Sequence, residues 1–148
     1  MKRTFLVGGL VLAVVAMWAG LATAEPTYIG AEKCKMCHKL QYDSWAQTKH
    51  AKATEDAKNA KDRKFEAACL TCHATNKSEA MAGVQCEACH GPGSEYKSIS
   101  IMKDKAKAIA AGLVIPTQAT CNGCHDGKDH HKEIKFDRNI VHAHKNAS

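Results

Sequence analysis

Cys34-Lys-Met-Cys37-His38, Cys69-Leu-Thr-Cys72-His73, Cys86-Glu-Ala-Cys89-His90 and Cys121-Asn-Gly-Cys124-His125 are four copies of one pentapeptide. Together they use all eight cysteines of the 148-residue chain. Cys-x-x-Cys-His is the pattern to which c-type haem is attached: the two thiols add to the porphyrin's vinyl groups and the adjacent histidine ligates the iron. The pattern therefore implies four covalently bound haem c groups. They are held through Cys34, Cys37, Cys69, Cys72, Cys86, Cys89, Cys121 and Cys124, with His38, His73, His90 and His125 as proximal iron ligands.

Two other chemistries use paired cysteines. Zinc sites need four ligands per ion and give no reason for a histidine at the same offset after every pair. Disulfides are common in exported chains, but a bridge across two residues closes too short a loop to constrain the unfolded chain much. Neither accounts for the fourfold repetition.

The compartment agrees with haem. Met1-Lys2-Arg3 is a basic start, Thr4 to Ala24 is uncharged, and Ala22-Thr23-Ala24 reads as a cleavage site. Residues 1–24 are expected to be a signal peptide and residues 25–148 a single tetrahaem domain in the periplasm. The uncharged run approaches spanning length, but the cleavage signature argues for removal and against stable membrane insertion.

On that reading 124 residues serve four haems. Aromatic residues make up 5% of the sequence, too few for the side chains alone to build a core of ordinary size. The expected fold is mainly α with extensive loops, a small single domain whose core is the four haems. Their ligation supplies much of the folding energy. Without Lys2 and Arg3 the domain keeps 19 Lys and Arg against 15 Asp and Glu. Eight haem propionates would offset that excess, so the basic balance gives no argument for nucleic acid. The lysines suit propionates or an acidic redox partner protein.

The motifs lie 35, 17 and 35 residues apart, which predicts that the second and third haems are near neighbours. Lys39 to Arg63 reads as helical, with Tyr42, Trp45 and Thr48 or Lys49 on a haem-facing side. Ser100 to Ala111 reads as a helix stopped by Gly112 and Pro116, Gly91-Pro92-Gly93 as a turn, and Phe136 to Lys145 as a last short helix.

Five histidines remain after the proximal four: His50, His130, His131, His142 and His144. Imidazole is the commonest sixth ligand of such irons. The five fall into three clusters, because His130 and His131 are adjacent and His142 and His144 would project to opposite sides of a helix. One ligand from each cluster leaves one iron short of a histidine. Met102 is better placed than Met36 or Met81 to fill that gap.

Three stretches resemble the tetrahaem cytochrome c-554 family: Tyr28-Ile-Gly-Ala-Glu-Lys-Cys34, Ser44-Trp45-x-x-Thr48-x-His50-Ala51-x-Ala53, and Gly83-Val84-x-Cys86-Glu87-x-Cys89-His90-Gly91-Pro92-Gly93. The resemblance implies an electron-transfer protein in which His50 is a distal haem ligand. It also implies that one of His142 and His144 ligates the fourth haem, and that the second haem, on His73, is five-coordinate and high-spin. The chain departs from the family in one respect. The family places a distal histidine for the first haem soon after the third motif, and residues 91–119 contain none. Met102, His130, His131 or no protein group completes that iron.

Three functions suit these features: a periplasmic carrier between redox partner proteins, a small reductase of nitrogen oxides at an open iron, and a subunit of a haem-chain assembly. Carriage is the expected one. No acid–base constellation accompanies the motif of His73, since Thr71, Thr75 and Lys77 beside it suit propionate contacts. Homo-oligomerisation is left open.

Overall fold

The computed structural model describes residues 24–144. Most of the expected signal peptide, and the end of the expected last helix, lie outside the described residues. Among the described residues eight short α-helices follow one another: α1 (Ala31–Lys35), α2 (Lys39–Ala46), α3 (Ala53–Asn59), α4 (Leu70–His73), α5 (Cys86–His90), α6 (Ile99–Met102), α7 (Lys105–Ala110) and α8 (Gln118–Asn122). Among the described residues extended pairing is confined to isolated bridges from Ala74 to Ala82 and Gly83. No helix among them is long and apolar enough to cross a membrane.

The expected long helices are broken, each for a local reason. Lys39 to Arg63 divides into α2 and α3, because Thr48 turns its hydroxyl back to the Trp45 carbonyl at 2.7 Å. The carbonyl of His50 is also taken by the amide of Val84 at 2.8 Å, far along the chain. Ser100 to Ala111 divides into α6 and α7, because Asp104 caps a fresh helix by accepting from the amides of Ala106 (3.0 Å) and Lys107 (3.1 Å). Gly112 then stops α7 at φ +99°, a conformation that favours glycine.

Phe136 to His144 forms no helix. Its amides are captured by side chains: Phe136 donates to Gln118 Oε1, Ala143 to Ser44 Oγ and His144 to Asn139 Oδ1. An amide held this way is lost to the i→i−4 ladder.

Buried apolar side chains among the described residues are Ala31, Trp45, Ala53, Leu70, Ala74, Tyr96 and Ala108, and four of these are alanine. Such a core removes little apolar area from water. Polar knots hold the chain instead. The carboxylate of Glu87, 2% exposed, accepts from the amides of Ile29 (2.9 Å), Gly30 (2.7 Å) and Gly93 (2.6 Å). Beside it Gln85 Oε1 accepts from Ala31 at 2.8 Å, so α5 clasps the segment leading into α1.

A second knot surrounds Gly83. Its amide donates to Thr54 Oγ1 at 2.7 Å, and its carbonyl accepts from the fully buried Thr75 hydroxyl at 2.9 Å. The Trp45 indole donates to the next carbonyl, Val84, at 2.8 Å. Gly83 has φ +78°, and a Cβ there would lie 2.6 Å from the Ala51 carbonyl oxygen, so the knot admits only glycine.

Candidate haem-binding sites

Each motif is one helical turn or close to it. The amide of His38 donates to the Cys34 carbonyl at 2.9 Å, and that of His125 to the Cys121 carbonyl at 2.8 Å. A turn of this kind puts residues i, i+3 and i+4 on one face. Both thiols and the imidazole can then approach a single porphyrin.

Three of the four proximal histidines are oriented by backbone carbonyls. Nδ1 of His73 pairs with the Ala53 carbonyl (3.2 Å), that of His90 with Val114 (3.0 Å) and that of His125 with Lys132 (2.9 Å). Committing Nδ1–H to a carbonyl fixes the tautomer and leaves Nε2 free to bind metal. Burial, the largest influence on each, holds His50, His73 and His90 below the usual imidazole range, which favours the neutral, ligating form.

The spare histidines face these rings at one separation. His50 lies 6.0 Å from His125, His130 lies 6.0 Å from His73, and His142 lies 6.0 Å from His90, measured between ring centres. Two imidazoles sharing a metal have each nitrogen about 2 Å from it and ring centres roughly 6.3 Å apart. The three pairs therefore fit an iron between them. Hydrogen bonds fix two of the facing rings. His130 Nδ1 meets Asp129 Oδ2 at 2.5 Å, while Arg63 binds the same carboxylate at 2.9 Å and touches the ring. His142 Nδ1 pairs with the Ala143 carbonyl at 3.1 Å.

The second member of each doublet stands beside the first. His131 is 4.4 Å from His130 and bonded to Asp126, and His144 is 4.1 Å from His142. The irregular backbone, in place of the expected helix, lets His142 and His144 lie together instead of on opposite sides. His38 makes no ring contact and no side-chain hydrogen bond among the described residues.

The thiols of different motifs meet. Cys34 adjoins Cys86, a closeness that lowers the first thiol's pKa and raises the second's, and Cys124 adjoins Cys72. Cys89 lies beside Cys121. The third motif's thiols thus adjoin those of the first and fourth. Tyr42 and Trp45 pack together, ring centres 5.5 Å apart. With Tyr28, Ile29 and Met81 they line a cleft of about 490 Å³ that no histidine borders.

Residues 33–91 match a protein family described as cytochrome c554 and c-prime. Cytochrome c-554 of Nitrosomonas europaea is 30% identical over 123 residues, covering 66% of this chain. The chain spans about half, 52%, of that relative's length. The reduced-state structure of cytochrome c554 from the same organism superposes with a TM-score of 0.55 at 26% identity, covering 74% of this chain and 70% of the other. These matches support placing the chain with the cytochrome c-554 family. It is a c-type cytochrome, mainly helical, and its cofactor is covalently bound haem c.

Within this chain the pairing of histidines differs from what the resemblance implied. The late His-x-His element faces the third motif through His142, while the fourth motif is faced by His50. The second motif, expected to carry an open iron, has His130 opposite His73 with ring planes 11° apart. Met102 closes α6, which packs on α7. Sequence reasoning missed the Arg63–Asp129 clamp and the Glu87 clasp. Glu87 stood inside a recognised stretch, but its partners are backbone amides, which leave no mark in a sequence.

Proposed function

We propose that this chain carries electrons, one at a time, along a row of four covalently bound haems in the periplasm. The observation that carries the reading is the arrangement of thiols. Cys34–Cys86, Cys89–Cys121 and Cys72–Cys124 link the motifs in the order first, third, fourth, second. Haems attached at neighbouring thiols would be close enough to exchange electrons directly. Haem c supplies the one-electron iron couple.

The chain's own residues serve transfer. Cys34, Cys37, Cys69, Cys72, Cys86, Cys89, Cys121 and Cys124 fix the porphyrins covalently, and His38, His73, His90 and His125 hold the irons from the proximal side. His50, His130 and His142 would hold three of them from the opposite side, leaving little room there for substrate. Carbonyls of Ala53, Val114 and Lys132 lock the proximal rings, so little rearrangement accompanies a change of charge. The leader expected over residues 1–24 supports the periplasm, where donor and acceptor would be redox proteins.

Mass spectrometry and stopped-flow reduction test this together. The mature chain should carry four haem masses, and all four haems should exchange electrons with a small redox mediator within milliseconds to seconds. Multiple turnovers per second with nitrite or nitric oxide would make it a reductase instead.

A further inference from the structure

The nine histidines of the chain all lie among the described residues, so the ligand assignment can be followed to its end. His50 faces His125, His130 faces His73 and His142 faces His90. His131 and His144 stand against His130 and His142, beside irons already served. No imidazole is in ring contact with His38 of the first motif among the described residues.

Lys35, Lys39 and Tyr96, near that motif, are engaged elsewhere. Around it, α1 packs on α2 and α5. Lys35 lies over the Tyr42 ring at 4.6 Å and pairs with Glu32, and Lys39 pairs with Asp43. Tyr96 donates its hydroxyl to the Gly91 carbonyl at 2.7 Å, and burial pushes its pKa up, away from the phenolate that would bind iron. Met36 lies between the two cysteines of the motif itself and is 77% exposed. Met81 lies against Gly30, on the N-terminal side of α1, and Met102 sits on the α6–α7 pair.

We infer that the haem on Cys34 and Cys37 keeps an open coordination position opposite His38 and binds small uncharged diatomic ligands there. Carbon monoxide and nitric oxide on ferrous iron are the class, because a π-acceptor needs only a free position on an electron-rich metal. The site rests on the four-haem reading above and moves the open iron from the second haem, where the family resemblance put it, to the first. Its neighbours in the thiol order place it at one end of the row, next to the third haem.

The test begins with haem content of the purified holoprotein, by intact mass and alkaline pyridine haemochrome. Four haems are expected; three, with free thiols at Cys34 and Cys37, would overturn both the four-haem reading and this inference. Carbon monoxide is then titrated into the dithionite-reduced protein and followed by difference spectra. One equivalent per four haems is expected, with one high-spin ferric signal by electron paramagnetic resonance in the oxidised protein. His130→Ala should raise the stoichiometry to two, and His50→Ala and His142→Ala should each do the same if His130→Ala does not fold. Four haems with no carbon monoxide bound would overturn this inference alone, through a protein ligand such as methionine on the first iron. A His130→Ala protein that still binds a single equivalent would return the open iron to the second motif.

Discussion

The imidazole of His130 lies parallel to that of His73, with the planes 11° apart and the ring centres 6.0 Å apart. Nothing local brings them together. His130 comes from the loop after the fourth motif, and Arg63, before the second, reaches across 66 residues to hold Asp129. Asp129 in turn takes the His130 ring nitrogen.

That clamp should tune one haem. A carboxylate accepting Nδ1–H makes the imidazole a stronger donor, which favours ferric iron. Asp129→Asn should therefore raise the potential of the second haem and leave three potentials unchanged. The clamp is exposed, so the shift should be below about 59 mV, a tenfold change in a one-electron equilibrium. Spectroelectrochemical titration of the variant against the parent checks it.

His50→Ala should convert the haem of the fourth motif from low-spin to high-spin, since His50 faces His125. Acid should act in the same direction. Burial, then the neighbouring His125, hold the His50 pKa below its ordinary value. Neutral His50 thus contributes stability that is present above about pH 6.5 and lost as pH falls through the lower folded value. Low-spin signal at the fourth haem should fade on acidification in the parent, and the variant should lack that transition.

Glu87→Gln should loosen the clasp between α5 and the entry to α1. The buried carboxylate accepts from three amides, and an amide side chain turns an NH₂ toward at least one of those donors. Loss of a charge-assisted bond and one unsatisfied group costs about 2–3 kcal/mol. Thermal unfolding followed by circular dichroism should show the fall in midpoint, with haem content unaltered.

Gly83→Ala tests the second knot. Its Cβ would press on the Ala51 carbonyl at 2.6 Å and the His50 carbonyl at 3.2 Å, at a φ of +78°. The backbone must shift, at about 1–3 kcal/mol. Because His50 sits in that contact, the spectrum of the fourth haem should broaden or become partly high-spin. A purely thermal effect with an unchanged spectrum would separate the knot from ligand positioning.

The chain made without covalent attachment of haem should be largely unfolded. Among its described residues the buried apolar side chains are mostly alanine, so ligation has to supply the cohesion. Far-ultraviolet circular dichroism of protein produced without the attachment machinery should show little helix.

The sequence by itself marked the haem-attachment pattern, with its paired cysteines and adjoining histidines. Cys-x-x-Cys-His is complete within one helical turn, so Cys34 with His38, or Cys121 with His125, needs no knowledge of the rest of the chain. Sequence also marked Gly112 as a stop, because glycine's freedom at positive φ is a property of the residue. Only the tertiary structure decided which spare histidine serves which motif. His142 reaches His90 because the Ala143 amide is caught by Ser44, 99 residues away, and His50 reaches His125 through the Gly83 knot. Such pairings are set by where loops return and which backbone amides they find there. Every residue carries that donor and acceptor, so nothing in the side-chain pattern records the choice.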